Sequence, residues 1–221
     1  TILGTLLRES LPMGTLLLVF SVYNKVDVII LEHFQGVGEV AVYSLAYKIH
    51  ENLVLGAAFL MNATFPLLAR LYREEKKEEL RLFYRKIFGL LGIGGMTLGF
   101  IFFIFAPLII SLLAGGQLVS FTGSIIALRI LLFATFISFL NHLTGYSLAA
   151  FGKQKLSLLI GIFALVGNLV SNILFIPRFS WTAAATITVL TEFFVFLASS
   201  VVLWKIIGIV PKPIWFLSVA K

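Results

Sequence analysis

Six ionisable side chains stand inside long apolar runs: Lys25, Asp27, Lys48, Glu51, Arg129 and Glu192. Their spacing limits the chemistry they can do. Lys25 and Asp27 are two residues apart, about 200° around a helix, so they cannot face one another. Asp27 shares its stripe with Asn24 and Tyr23, while Lys25 needs a partner from another helix. Lys48 and Glu51, at i and i+3, can neutralise each other locally. Arg129 has only Ile125, Ile126, Leu132 and Phe133 at i±3 and i±4, and its planar fork suits a phosphate or a carboxylate. Asp27 either pairs with Arg129 or changes its protonation state, and Glu192 is flanked by Thr188 and Thr191.

Charges within a membrane span face a bundle interior or a watery cavity and are functional candidates by default. Three cations balance three anions here, so complete mutual pairing is the competing reading for each. Asn168 and Asn172 add polar groups on a neighbouring span. Together these residues predict one shared polar cavity, in the outer half of the membrane, with Lys25, Lys48 and Arg129 as its cations. His142 beside Asn141 reads as a satisfied interior histidine. There is no cysteine, so disulfides, thiolate catalysis and cysteine metal sites are excluded. No Gly-rich phosphate loop, metal-ligand spacing or Ser–His–Asp arrangement is legible. A polytopic chain with intramembrane charges and no nucleophile predicts a transporter, not an enzyme, with no cofactor.

The elements that position these residues follow from composition. Hydrophobic residues make up 60% and charged residues 12% of the chain, and the mean hydropathy is +1.05. A soluble domain carries roughly 25% charged residues and could not cover so much apolar surface. The solvent is therefore largely lipid. Six apolar runs are long enough to span it: about 10–32, 39–68, 86–114, 122–150, 156–176 and 182–204. Turn signals such as "EHFQGVGE", "REEKKEE", "AGGQ", "FGKQK" and "IPRFSW" separate them. The division expected is a six-helix lobe over 1–205, then the start of a further membrane helix over 206–221. Both ends read as cut from a longer chain.

The formal net charge is +7. Its basic residues cluster in short loops with no interleaved aromatic stripe, which argues against nucleic acid. With the N-terminus inside, thirteen of the 17 basic residues collect on the inner side and only Arg178 lies outside, as the positive-inside rule requires. "ARLYREEKKEELRLFYRK" then reads as an interfacial elbow with a Glu78–Arg81 pair and Leu71, Leu82 and Phe83 as apolar anchors. Gly95 and Gly99 form a GxxxG that predicts close helix packing.

"LRESLPMGTLLLVFSVYNKVDVIILEHFQGVGEVAVYSLAYKIHENL", followed by "FPLLARLY", resembles the seventh and eighth helices of bacterial polysaccharide flippases. These are the O-antigen and exopolysaccharide repeat-unit translocases of the multidrug/oligosaccharidyl-lipid/polysaccharide exporter superfamily. "LAAFGKQKLSLLIGIFALVGNLVSNILFIPRFSWTAAATI" is similar to their tenth to twelfth helices, through Gly152–Lys153, Asn168, Asn172, Ile176–Pro177, Ala183–Ala185 and Thr186. Ser180 and Thr182 stand where that family commonly has glycines.

The resemblance implies an all-α, polytopic membrane protein: the C-terminal, six-helix lobe of a two-lobe MATE-like transporter. It implies translocation of a polyprenyl-pyrophosphate-linked oligosaccharide from the inner to the outer leaflet of a prokaryotic plasma membrane. Lys25, Lys48 and Arg129 would meet the pyrophosphate or acidic sugars. Asp27 or Glu192 would couple to an ion gradient, with Glu51 as a counter-charge and Asn24, Asn168 and Asn172 as polar lining. The implied partners are the bilayer, the missing N-terminal lobe and the polysaccharide polymerase and chain-length machinery. Alternatives are a multidrug or small-molecule exporter of the same superfamily, a lipid II flippase, a membrane-embedded glycosyltransferase or polymerase, and a non-transporting scaffold.

Overall fold

Apolar runs bounded by glycine and charged turns form helices, and no strand occurs among the described residues. The computed structural model describes Gly14, residues 25–115 and residues 121–208. Helix α1 covers 25–35, α2 Val37–Arg73, α3 Lys77–Leu113, α4 Thr122–Ala150 and α5 Gln154–Ile207. Helices α2 to α5 are each long and apolar enough to cross a bilayer. Of the run 10–32 only the part from residue 25 is described with its neighbours, and the expected helix after 206 lies outside the described residues beyond Gly208.

Two of the apolar runs share α5. Its 54 residues would extend about 80 Å if straight, far more than a bilayer needs. Ser180 breaks it, with φ 51 and ψ −141, a region that favours glycine. The chain folds back there, because Asn168 before the break donates to Thr191 Oγ1 after it at 3.2 Å. Just before the break, Gln35 Nε2 donates to the carbonyls of Ile176 and Pro177 at 3.1 Å. Ser180 Oγ donates to Glu39 at 2.7 Å. A serine stands at the turn where the resembling family has glycine, and two side chains near the α1–α2 junction hold it. Holding a non-glycine residue there costs about 1–3 kcal/mol. Ser180→Val should therefore lower the thermal midpoint of the purified protein by several degrees, while Ser180→Gly stays within a degree or two of wild type. Equal midpoints for the two variants would mean that the turn stores no strain.

Helix α4 is the axis of the bundle, in contact with α2, α3 and α5. More than half of its most apolar stretch is buried, and its small polar residues Ser124, Thr135, Thr144 and Ser147 are fully buried. Ser124 Oγ donates to Val42 O of α2 at 2.7 Å. On the α3 side, a Cβ on Gly95 would lie 3.1–3.3 Å from three atoms of Phe139, so this glycine permits the close approach expected of the GxxxG. Phe59, Phe100, Leu112, Phe163 and Leu190 are more than half exposed around the outside, a surface that suits lipid and not water.

The α2–α3 turn forms a basic elbow at one end of the lobe. The predicted Glu78–Arg81 pair is present at 2.7 Å, and Arg81 Nε also donates to Ile207 O at the end of α5. Arg70, hydrogen-bonded to Glu74, and Lys76 together hold the Glu74 carboxyl below its ordinary range. Leu71 is buried and Phe83 packs against the same core, but Leu82 is exposed.

Candidate functional site

Helices α2, α4 and α5 enclose a cavity of about 1010 Å³. Two polar stripes build it. On α4, Ser138, Asn141, His142, Gly145, Tyr146 and Ala149 recur at i, i+3, i+4, i+7, i+8 and i+11, one continuous helical face. On α2, Lys48, Glu51, Asn52, Leu55 and Asn62 follow the same period. Both arms of α5 close the wall, with Gln154 and Ser157 from one and Glu192 and Ser199 from the other. The lining begins near Tyr47 and reaches Phe65, so the cavity runs from mid-bundle towards the end that carries the basic elbow.

Most polar groups around it are oriented by defined partners. Lys25 finds the inter-helix partner that its position demanded: its Nζ lies 3.2 Å from Glu51 Oε1 and 5.8 Å from the Tyr47 ring centroid. Glu51 is thus neutralised from α1 and not by Lys48, its neighbour at i−3. Lys48 lines the cavity and makes no ion pair among the described residues. Asn141 Nδ2 donates to both the backbone oxygen and Oε2 of Glu192, at 2.9 and 2.7 Å. Tyr146 OH donates to Asn62 Oδ1 at 2.8 Å.

The two histidines of the lining, His50 and His142, carry assignable tautomers. Thr135 donates its hydroxyl proton to Leu131 O, so His50 Nδ1, 2.9 Å away, donates to Thr135. His142 Nδ1 lies 2.8 Å from Ser138 O, an oxygen that can only accept. Each ring therefore keeps its Nε2 as the second functional nitrogen. Among the described residues no three metal-type ligands converge, and the cavity chemistry is hydrogen bonding and charge.

The expected single constellation is divided in space. Asp27 is 3% exposed and lies outside the cavity lining. Its Oδ1 accepts from the Val28 amide at 2.8 Å and its Oδ2 from Tyr43 OH, which lies 3.3 Å from Thr188 Oγ1. The Asp27–Arg129 pairing is not made. Arg129 faces α3, where its Nε donates to Phe103 O at 3.4 Å and its guanidinium covers the Phe103 ring at 5.0 Å. The reason lies on α3: Pro107 has no N–H for the carbonyl four residues earlier, and that carbonyl belongs to Phe103. Asn168 and Asn172 are buried between the arms of α5 and bonded to each other at 2.8 Å. Asn24 lies outside the described residues. Of the cavity residues not anticipated, Asn62 and Tyr146 were signalled by the helical period of polar side chains in an apolar run, while Gln154 stands in the charged turn that opens α5.

The family model described as MatE matches residues 12–174. Two crystal structures have the same fold. One is of MATE in the bent conformation, with 22% identity and a TM-score of 0.78 over 96% of this chain and 49% of that chain. The other is of MATE in complex with MaL6, with 20% identity and a TM-score of 0.77 over 94% and 48%. The chain thus spans about half the length of the solved structures it matches. No curated protein matches it.

Proposed function

The chain belongs to the MatE family, and from that premise we propose that it is the substrate-binding half of a transporter that moves a polyprenyl-pyrophosphate-linked oligosaccharide between leaflets. The observation that carries this reading is the lining of the cavity: amides, hydroxyls and imidazoles on three helices, with Lys48 free of any carboxylate among the described residues. Hydroxyl-rich sugars need many paired donors and acceptors, and a pyrophosphate needs a cation. The basic elbow marks the cytoplasmic end in this reading, so the cavity faces the leaflet where the substrate is made. A second lobe rocking against this one would carry it across by alternating access. The bilayer, that second lobe and the polymerase machinery are the partners proposed, in a prokaryotic plasma membrane.

Lys48, supported by the Lys25–Glu51 pair, takes the anionic part of the substrate. Asp27 is the proposed coupling carboxylate, because it is buried and yet partnered in either protonation state. Ionised, it accepts from Tyr43; protonated, it can donate to Tyr43, which then donates towards Thr188. Glu192 orients Asn141 in the wall. One observation favours a second reading, an exporter of organic cations: Glu51 and Glu192 both line the cavity beside Tyr47, Phe65 and Tyr146, and aromatic faces with carboxylates suit cations.

The test is a strain lacking the full-length gene, with lipid-linked sugar intermediates assayed in each leaflet. Accumulation in the cytoplasmic leaflet, relieved by the wild-type gene, supports the flippase. Normal outer-leaflet delivery overturns it, and efflux of cationic dyes becomes the deciding assay.

A further inference from the structure

Helices α3 and α4 part along their outer surface to leave a second cavity, of about 430 Å³, lined only by glycine and apolar side chains. Its floor is Gly95, Gly99 and Leu132, and its walls include Met96, Phe100 and Phe133, each more than half exposed. The stripe on α4 that supplies Leu132, Phe133 and Phe136 continues one turn back to Arg129, which lies against Phe103, also a wall residue. The groove therefore ends at a guanidinium. Among the described residues, only the Nε of that group has a hydrogen-bond partner, at a long 3.4 Å, and no carboxylate lies within 4 Å.

Depth decides what an apolar groove with a cationic end can hold. The 29 residues of α4 span about 44 Å, against roughly 30 Å of hydrocarbon, so each end extends about 7 Å into the headgroup region. Arg129 is seven residues into α4, about 10 Å along it, which puts its Cα only a few ångströms below the headgroups. Helical side chains lean towards their N-terminus, and that end of α4 is the one opposite the basic elbow. The long arginine stem reaches headgroup level from there, with its remaining N–H groups in the fork geometry that binds phosphate.

We propose that this groove is a binding site for an anionic phospholipid of the outer leaflet, one acyl chain lying along Gly99 and Phe133 with the phosphate on Arg129. The site is on the far side of α4 from the polar cavity and does not depend on what that cavity carries.

The experiment uses the full-length protein, purified in detergent and titrated with phosphatidylglycerol and phosphatidylcholine of identical acyl chains, with bound lipids counted by native mass spectrometry. Wild type should prefer phosphatidylglycerol by about fivefold, the effect of one basic residue near a headgroup. Arg129→Gln should abolish that preference and leave phosphatidylcholine binding unchanged, while Arg129→Lys retains it. Gly99→Leu should weaken both lipids, because a Cβ at Gly99 meets nothing closer than Leu132 O at 4.0 Å and the rest of the larger side chain takes up groove volume. Wild-type binding by either Arg129→Gln or Gly99→Leu would overturn the proposal. So would displacement of phosphatidylglycerol by an equimolar short-chain prenyl phosphate, which would assign the groove to the isoprenoid carrier. Cross-linking of a Phe133→Cys substitution to another part of the chain would overturn it too, by showing that protein covers this face.

Discussion

Asp27→Asn should reduce gradient-driven transport by on the order of 100-fold while leaving membrane insertion and cavity binding intact. The amide keeps the same volume and an oxygen for the Tyr43 hydroxyl, giving up only the local bond from the Val28 amide, so the inter-helix contact of α1 with α2 persists. It loses the ability to carry a negative charge in one state and a proton in the other. Asp27 is placed for such a change by its near-complete burial and by Tyr43, whose hydroxyl reaches both Asp27 and Thr188. Tyr43→Phe is the companion variant. It removes the group that serves both protonation states and should shift the pH profile of transport without abolishing it. The measurement is uptake into inverted vesicles with and without an imposed proton or sodium gradient. If Asp27→Asn responds to the gradient as wild type does, Asp27 is a structural carboxylate and coupling resides elsewhere, with Glu192 next to be tested.

Lys48→Glu should separate the two substrate readings. The reversal puts a carboxylate one turn from Glu51 and on the wall shared with Glu192, where like charges repel and any anionic ligand loses its cation. For an anionic, pyrophosphate-linked substrate we expect transport to fall to background, a loss of about 100-fold or more, with Lys48→Arg largely restoring it. For an organic cation the same variant should transport at least as well as wild type. Lys25 gives an internal control. It is bound to Glu51 in an exposed pair, and such pairs contribute about 1 kcal/mol or less, so Lys25→Gln should reduce transport only severalfold. Equal loss in Lys25→Gln and Lys48→Glu would mean that cavity charge as a whole matters and Lys48 has no special role.

The helical rods were legible from composition and punctuation, but not all of their ends: the runs 39–68 and 86–114 are α2 Val37–Arg73 and α3 Lys77–Leu113, each carried further into the charged elbow. The run 122–150 is α4 to the residue, because a glycine-rich turn precedes it and "FGKQK" ends it. The partner of Lys25 on another helix followed from a 200° offset alone, and the packing role of Gly95 from its spacing. Neither depends on where other helices lie. The run 156–176 and the run 182–204 were both visible, but not the strained serine that folds one onto the other. That turn is held by Glu39 and Gln35, more than 130 residues away. Ser180 itself carries no local signal for a positive φ.

The division of the charges shows where local reasoning stops. Sequence by itself determined that this chain is solvated largely by lipid, that its spans are helical, and that ionised groups inside them need partners. Those conclusions follow from the cost of exposing backbone and charge to hydrocarbon, which is paid residue by residue. Position along each helix suggested one shared cavity in the outer half for Lys25, Asp27, Lys48, Glu51 and Arg129, whereas the cavity found runs towards the elbow end and takes only Lys48 and Glu51 of the five. Azimuth was not readable. Only tertiary packing decided that Glu51 meets Lys25 instead of Lys48, that Asp27 turns to Tyr43, and that Arg129 faces the Phe103 carbonyl left open by Pro107. Each helix can be rotated about its axis without changing its own hydrogen bonds, and the rotation is set by which neighbours it packs against.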